Sequence, residues 1–462
     1  MHFHTQFIFF LLVVFALASY FIFVEEIDNS DVTILNSTYQ CHIQPWNFVN
    51  TQSTDTSYLN RFSKWLWIKF YLPVENLHNN TEISILAAYV YPDHISITLI
   101  TQHSIKKQLY CRYYDCKRNE IRGSAWLGTV FPESVIQCPR RIGAEFVSVS
   151  ENLEKESDIT PVGLTFRVFE EPIHELSVCV APMYGNEPSW LPIIDFVEHN
   201  KLEGASYFYF YVGEIRDYDQ KILDDYVRTG DIELVKLQDK YHRVFIAWHL
   251  LQIQDCHLRS AYHSKWTAFI DLDERLSTNG PGTMIDVLRS IQDSSVGEVQ
   301  LQSTTIVKDQ DYPDKYENIE QLEQELIFKK YNETVKKTMS GTKPIIKSEK
   351  IGLMSIHQAS AKYFGVKTLL LNITVASVRH LRSVKHRISG SDWNKMPDET
   401  GNPIEFVTRP LPDEFSGKLR EAVVKRVLHV YETIPVNCLT IPQTLVDGLR
   451  HPNPCKAPWP EF

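Results

Sequence analysis

An uninterrupted run of uncharged, mostly apolar residues extends from Phe7 to Val24, FIFFLLVVFALASYFIFV. At ~1.5 Å of rise per residue such a run spans roughly 27 Å as a helix, close to the hydrocarbon thickness of a bilayer. It therefore predicts a transmembrane anchor over 7–24. A cleaved signal peptide is the rival, because Ala16-Leu17-Ala18 has the small-x-small form of a cleavage site. Cleavage there would leave the greasy stretch Ser19 to Val24 as a new N-terminus, which favours the anchor. Neither flank carries Lys or Arg, so orientation rests on Glu25, Glu26, Asp28 and Asp31 beyond the span. This gives a single-pass type II protein with residues 1–6 in the cytosol, a polar stem over 25–40 and a lumenal body.

Beyond the stem the pattern changes twice. From 41 to 171 short β-prone runs, such as Ile83 to Val90, His94 to Ile100 and Leu164 to Phe169, are broken by Pro, Asn, Asp and Ser, the pattern of a mostly β module. From Leu176 the period alternates: strand 176–181, helix Trp190 to Leu202 stopped by Gly204, strand 205–212, helix 219–228 stopped by Gly230, strand 232–237, and a long helix from about His242 to Ser264. The last leads into Trp266-Thr267-Ala268-Phe269-Ile270-Asp271-Leu272-Asp273-Glu274. Strand and helix alternating three times over short joints predict an α/β domain with a mostly parallel sheet, which binds ligands at the carboxyl ends of its strands. Further on, 296–307 and 369–378 read as strands, the second delivering His380. Gln310-Asp311-Tyr312-Pro313 opens a polar stretch expected to form a flexible acceptor loop, Asp413 to Thr433 reads as a terminal helix, and 436–462 as an irregular tail.

The 462 residues are 43% hydrophobic, enough for a sizeable core, and the formal charge of -10 gives no electrostatic reason to bind nucleic acid. Eight cysteines, an even number, agree with an oxidising compartment. Cys111 and Cys116 suggest a local disulfide, and Cys256 is expected to be disulfide-bonded or buried. Sequons stand at Asn36, Asn79, Asn332 and Asn372.

Asp271 and Asp273 carry the chemistry. At a strand end, residues two apart project to one side, and hard carboxylate oxygens there suit Mn²⁺ or Mg²⁺ with positions left open for phosphate oxygens. Several ordered blocks then narrow the class. Val178-Cys179-Val180-Ala181-Pro182-Met183-Tyr184-Gly185-Asn186-Glu187, Phe196-Val197-Glu198-His199, Asp224-Asp225-Tyr226, Gln254-Asp255-Cys256, Ser264-Lys265-Trp266 and Phe269 to Leu276 resemble glycosyltransferase family 92, as do Ile356-His357 and Val378-Arg379-His380-Leu381-Arg382. The resemblance covers roughly 175–435 and departs from the family pattern at His249, where Gln is expected, and at Leu381, where an aromatic is usual.

This resemblance implies a GT-A fold and a secretory-pathway membrane enzyme, in the Golgi or a similar compartment, moving galactose from UDP-galactose to a glycan with inversion. It implies Asp271, Asp273 and His380 around the metal, Asp271 also on the ribose, Pro182, Tyr184, Asn186 and Glu187 about the nucleotide, and Arg382 on the diphosphate. Asp309, Asp311 and Asp392 are candidates for the base that an inverting transfer needs. Glu274 is expected to pair with Arg275 or Lys265. One alternative is a membrane-anchored glycan-binding or adhesion protein whose β module does the work. Another, a hydrolase using Asp271 and Asp273 as acid and base, is disfavoured because they stand too close together.

Overall fold

The computed structural model describes residues 41, 45–47, 83–101, 104–154, 157–238, 245–335, 341–383 and 405–432. The expected anchor at 7–24, the stem, the C-terminal tail and Asp392 lie outside the described residues. Among the described residues no helix is long and apolar enough to cross a membrane.

The first seven strands are β1 (Ser84–Val90), β2 (His94–Ile100), β3 (Gln108–Tyr114), β4 (Trp126–Thr129), β5 (Val135–Pro139), β6 (Phe146–Ser150) and β7 (Val162–Phe166). They form one sheet in the order β4-β3-β6-β7-β1-β2-β5, antiparallel except for the parallel β1/β7 pair. Its two edges approach each other: Val130 bridges Ile136, and a Cβ on Gly128 would lie 2.9 Å from the Ile136 side chain. The curl buries Ile97, Leu99, Leu109, Val147 and Val149 in one apolar cluster. Within it Cys111 of β3 pairs with Cys138 of β5. The expected bridge between Cys111 and Cys116 is thus corrected, because sheet curvature brings a strand partner closer than the local neighbour.

The second sheet begins with β8 (His174–Val180), α1 (Trp190–Leu202), β9 (Tyr207–Val212), α2 (Asp217–Thr229), β10 (Ile232–Lys236), α3 (Phe245–Ser260) and β11 (Ser264–Ile270). This is the alternation read from the sequence. α2 ends where Gly230 takes a left-handed conformation with φ 77°, and at Gly204 (φ 98°) a Cβ would meet Ile285 at 2.3 Å. Strands β10, β9, β8 and β11 are parallel neighbours.

The chain continues through β12 (Glu274–Thr278), α4 (Met284–Arg289), β13 (Val296–Lys308), α5 (Ile319–Glu325), α6 (Ile327–Lys330), β14 (Glu333–Val335) and β15 (Thr342–Ile346). Then come β16 (Ile351–Met354), β17 (Ala359–Lys362), β18 (Lys367–Leu370), β19 (Ala376–Ser383), β20 (Phe406–Thr408) and α7 (Asp413–Glu432). Beyond β11 the order is β15-β13-β14-β20, with β15 antiparallel to both β11 and β13. The sheet is therefore mixed rather than mostly parallel. The expected strand 369–378 is also two strands, β18 and β19, which separate where Asn372 makes a tight turn.

Buried polar contacts join the two sheets through α3. Asp255, fully buried, accepts hydrogen bonds from Tyr89 (3.0 Å) and Thr98 (2.6 Å) of the first sheet, from Tyr211 (2.6 Å) of the second, and from Arg259 (2.9 Å) one turn along α3 itself. Arg167, just past β7, donates from its Nη2 to both carboxylate oxygens of Glu233 of β10, at 2.6 and 2.7 Å, and Arg259 joins at 2.5 Å. The two guanidinium groups overcome burial and hold the Glu233 carboxyl at about 2. Next to Asp255, Cys256 bridges to Cys179 of β8, as a structural rather than catalytic cysteine.

Candidate functional site

Asp271-Leu272-Asp273 does not continue β11. It is a tight turn into β12, closed by a hydrogen bond from the Glu274 N–H to the Asp271 carbonyl (2.9 Å), and the Glu274 carboxylate reaches back to the Asp271 N–H (2.9 Å). Both aspartates thus share the strand end for a reason other than strand alternation. Leu272 packs against the core, and the Leu381 N–H donates to the Asp273 carbonyl at 2.8 Å, pinning the turn to β19.

β19 brings in His380, which stands opposite Glu274 on one side and Thr305 on the other. His380 Nε2 lies 3.3 Å from Asp273 Oδ2, and Nδ1 lies 3.2 Å from Glu274 Oε1. Its neighbour two residues on, Arg382, occupies the same face of the strand by register and is exposed. Glu274 is fully buried and pairs with neither Arg275 nor Lys265, a correction to the expectation: Arg275 is taken by Asp195 at 2.8 Å and Lys265 stands by Glu175.

The partner of Glu274 is Lys343 of β15, which was not legible in the sequence. Its ammonium lies 2.9 Å from Glu274 Oε2 and donates to Asp271 Oδ2 at 2.9 Å. Burial raises the Asp271 carboxyl, but Lys343 outweighs it and holds this carboxylate below its usual range. Glu274 goes the other way, raised by burial and by the Asp271 charge. A Lys at the head of the apolar run Pro344-Ile345-Ile346 was the available signal, since a strand buried from its start gives a charge no route to water. His249 and His357 stand within the fields of Asp271 and Lys343, and burial lowers both imidazoles. His249, one of the two positions where the chain departs from the family pattern, thus lies within the field of the site's charges.

The segment after β8 stays hydrogen-bonded to the neighbouring strand ends: Ala181 N–H to Ile270, Met183 N–H to Tyr211 and Gly213 N–H to the Met183 carbonyl. This sets buried Pro182 beneath an exposed Tyr184. Its hydroxyl is partly shielded, and that shielding and the Asp271 charge both raise its pKa, so Tyr184 lies within the field of that aspartate. Asn186 lines a cleft of about 490 Å³ with Gly213, Glu214, Asp217 and Lys236 at the ends of β9 and β10. Glu187 is exposed and does not line it. A Cβ placed on Gly213, in the wall of this cleft, would lie 3.8 Å from Tyr184 Cβ, so Tyr184 stands next to the cleft, whereas Asp271, Asp273 and His380 are not among its walls.

On the other flank, Tyr312 feels the Asp273 charge. The stretch expected to be a flexible loop is pinned here: Trp190 donates to the Pro313 carbonyl at 2.8 Å and the Tyr316 N–H to Tyr218 at 3.0 Å. Asp309 and Asp311 on this stretch are exposed.

Among the described residues, no three His, Cys, Asp or Glu side chains form a ready-made metal site. Two of the expected ligands do converge. His380 Nε2 is buried without a hydrogen-bond partner and faces Asp273, a donor pair that fits a divalent cation. Asp271 is occupied by Lys343.

The model of glycosyltransferase family 92 matches residues 174–419, over half of the chain. Beta-1,4-galactosyltransferase galt-1 of Caenorhabditis elegans is 27% identical over 154 residues, which are 30% of this chain and 36% of that one, so the match spans about a third of the relative. Among solved structures, TarS of S. aureus in complex with UDP-GlcNAc overlaps 56% of this chain and 67% of its own at 10% identity and a TM-score of 0.27. Glucosyl-3-phosphoglycerate synthase from Mycobacterium tuberculosis, in complex with Mn²⁺, UDP and glucosyl-3-phosphoglycerate, overlaps 55% and 80% at 9% identity and a TM-score of 0.23. Overlaps this slight carry no conclusion about ligands.

Proposed function

The chain belongs to glycosyltransferase family 92, and from that premise we propose that it is a metal-dependent inverting glycosyltransferase moving galactose from UDP-galactose onto a glycan. The observation that carries this reading is the Asp271–Asp273 turn at the carboxyl end of a parallel strand, with His380 against Asp273 and Lys343 against Asp271. The name of the Caenorhabditis elegans relative supports galactose as the sugar.

In this reading the nucleoside lies along Pro182, Tyr184 and Asn186, and Asp271 accepts hydrogen bonds from the ribose. Asp273 and His380 hold Mn²⁺ or Mg²⁺, which when bound supplies positive charge against the departing UDP. Arg382, with its planar fork, pairs with the diphosphate. The acceptor oxygen forms its bond to the anomeric carbon as the bond to the diphosphate oxygen breaks on the opposite face. The acceptor's proton passes to a carboxylate, for which Asp309 and Asp311 stand on the stretch that carries Tyr312 into the field of Asp273. The same reading has Phe7 to Val24 anchoring a type II protein whose body faces the lumen of the Golgi or another secretory compartment, which suits the disulfides.

The test is UDP release by the purified full chain in detergent, over a panel of UDP-sugars with and without Mn²⁺ and a glycan acceptor. Mn²⁺-dependent release that is fastest with UDP-galactose is expected. No release from any sugar nucleotide by folded protein would defeat the transferase reading and leave a glycan-binding role for the first sheet.

A further inference from the structure

Three carboxylates, Asp271, Asp273 and Glu274, crowd one turn, and Lys343 touches only the first and the last. The lysine is 4% exposed, so its ammonium is a fixed internal charge rather than a mobile surface one. His380 completes the division: it faces Asp273 through a buried Nε2 that has no hydrogen-bond partner, and the Asp273 side chain is the most open of the three at 42% exposed. A dication approaching Asp271 meets an ammonium already on that carboxylate. One approaching Asp273 meets an open oxygen and an unsatisfied imidazole nitrogen.

We propose that Lys343 is a positioning residue of the donor site, committing Asp271 and Glu274 to an internal ion pair and so directing a divalent cation to Asp273 and His380. Asp271 then serves the nucleotide and not the metal. The inference rests on the nucleotide-sugar reading of the site.

A lone Lys343→Met would strand a buried carboxylate, so it is combined with Glu274→Gln, beside Lys343→Arg, Asp271→Asn and Asp273→Asn. Mn²⁺ binding is read by the loss of free-ion electron paramagnetic resonance signal, UDP binding by calorimetry, and folding by thermal melting, all on the full chain. Asp271→Asn is expected to weaken UDP by at least ~10-fold while leaving Mn²⁺ within about 3-fold, and Asp273→Asn to weaken Mn²⁺ by at least ~10-fold. The Lys343→Met/Glu274→Gln pair should release Asp271 to the metal, tightening Mn²⁺ by ~10-fold in the absence of UDP. Lys343→Arg, which keeps the charge, should restore wild-type values. Equal losses of Mn²⁺ affinity in Asp271→Asn and Asp273→Asn, or unchanged Mn²⁺ and UDP affinities in the folded double variant, would overturn the role of Lys343. A wild-type chain binding neither Mn²⁺ nor UDP is a different result and defeats the donor-site reading together with the inference.

Discussion

Asp273 is the most exposed of the three turn carboxylates and the one that His380 Nε2 faces. In the proposed reaction it stabilises charge that appears mainly in the transition state, so Asp273→Asn should lower turnover by at least ~10²-fold. The amide keeps the side chain's shape, and Asp273 makes no pairing on which the core depends, so the melting temperature should hold. Measured together, full activity in a well-folded Asp273→Asn chain would remove the metal-site assignment. At this scale the sequence revealed Asp271, Asp273 and His380 because each lies in a short local pattern. It concealed Lys343, whose importance comes from a carboxylate 72 residues away.

At the scale of elements, α3 carries most of the load between the two sheets. Asp255 holds four hydrogen bonds there and pairs with Arg259, so Asp255→Ala leaves a buried guanidinium and three hydroxyls short of a partner. The loss should be about 3–5 kcal/mol in urea unfolding, seen equally by circular dichroism and tryptophan fluorescence if the sheets unfold together. The adjoining Cys179–Cys256 bridge closes a separation of 77 residues and ties α3 to the strand that leads into Pro182 and Tyr184. Cys256→Ser should cost ~2–4 kcal/mol and leave UDP affinity nearly intact at temperatures where the variant is folded; a large loss of affinity without loss of stability would contradict a structural role. Element order along 176–270 was readable because buried strands and amphipathic helices have different periods. The turn at Asp271 was not, since a D-x-D looks the same whether it ends a strand or bends away from it.

Stability of the whole molecule depends on pH through groups buried in one protonation state. Burial, aided by Arg275, holds the His199 imidazole down at about 3, and burial beside Arg167 holds His263 at about 4, against an ordinary value of 6.5. Each favours folding fully above pH 6.5, and that contribution is lost as pH falls through the folded value, because the unfolded chain takes up the proton first. Glu203, raised by burial to about 7, acts oppositely: its contribution is full below about 4.5 and is lost as pH rises through 7. Replacing His199 by Gln keeps a donor for the Leu276 carbonyl. Relative to His199→Gln, the wild type should lose about 3 kcal/mol between pH 6.5 and 4; parallel stability curves for the two proteins would refute this. The sequon at Asn372 is exposed on its turn between β18 and β19, with Thr374 donating to the Asn372 side chain at 2.8 Å. In a chain made through the secretory pathway, Asn372→Gln should lose one glycan, visible as a mobility shift that glycosidase treatment abolishes.

The sequence by itself determined the alternation of β8 through β11, the stops at Gly204 and Gly230, and the arrival of two aspartates at a strand end. These are set by interactions among near neighbours: burial period, chain reversal and the loss of apolar residues where a strand meets water. Only the tertiary structure decided that β15 runs antiparallel beside β11, so that Lys343 meets Asp271 and Glu274, and that β19 lies along β12, so that His380 meets Asp273. It alone paired Cys111 with Cys138 by curling a seven-stranded sheet. Such contacts are fixed by which faces bury against each other across many tens of residues, and a local pattern is compatible with more than one such pairing.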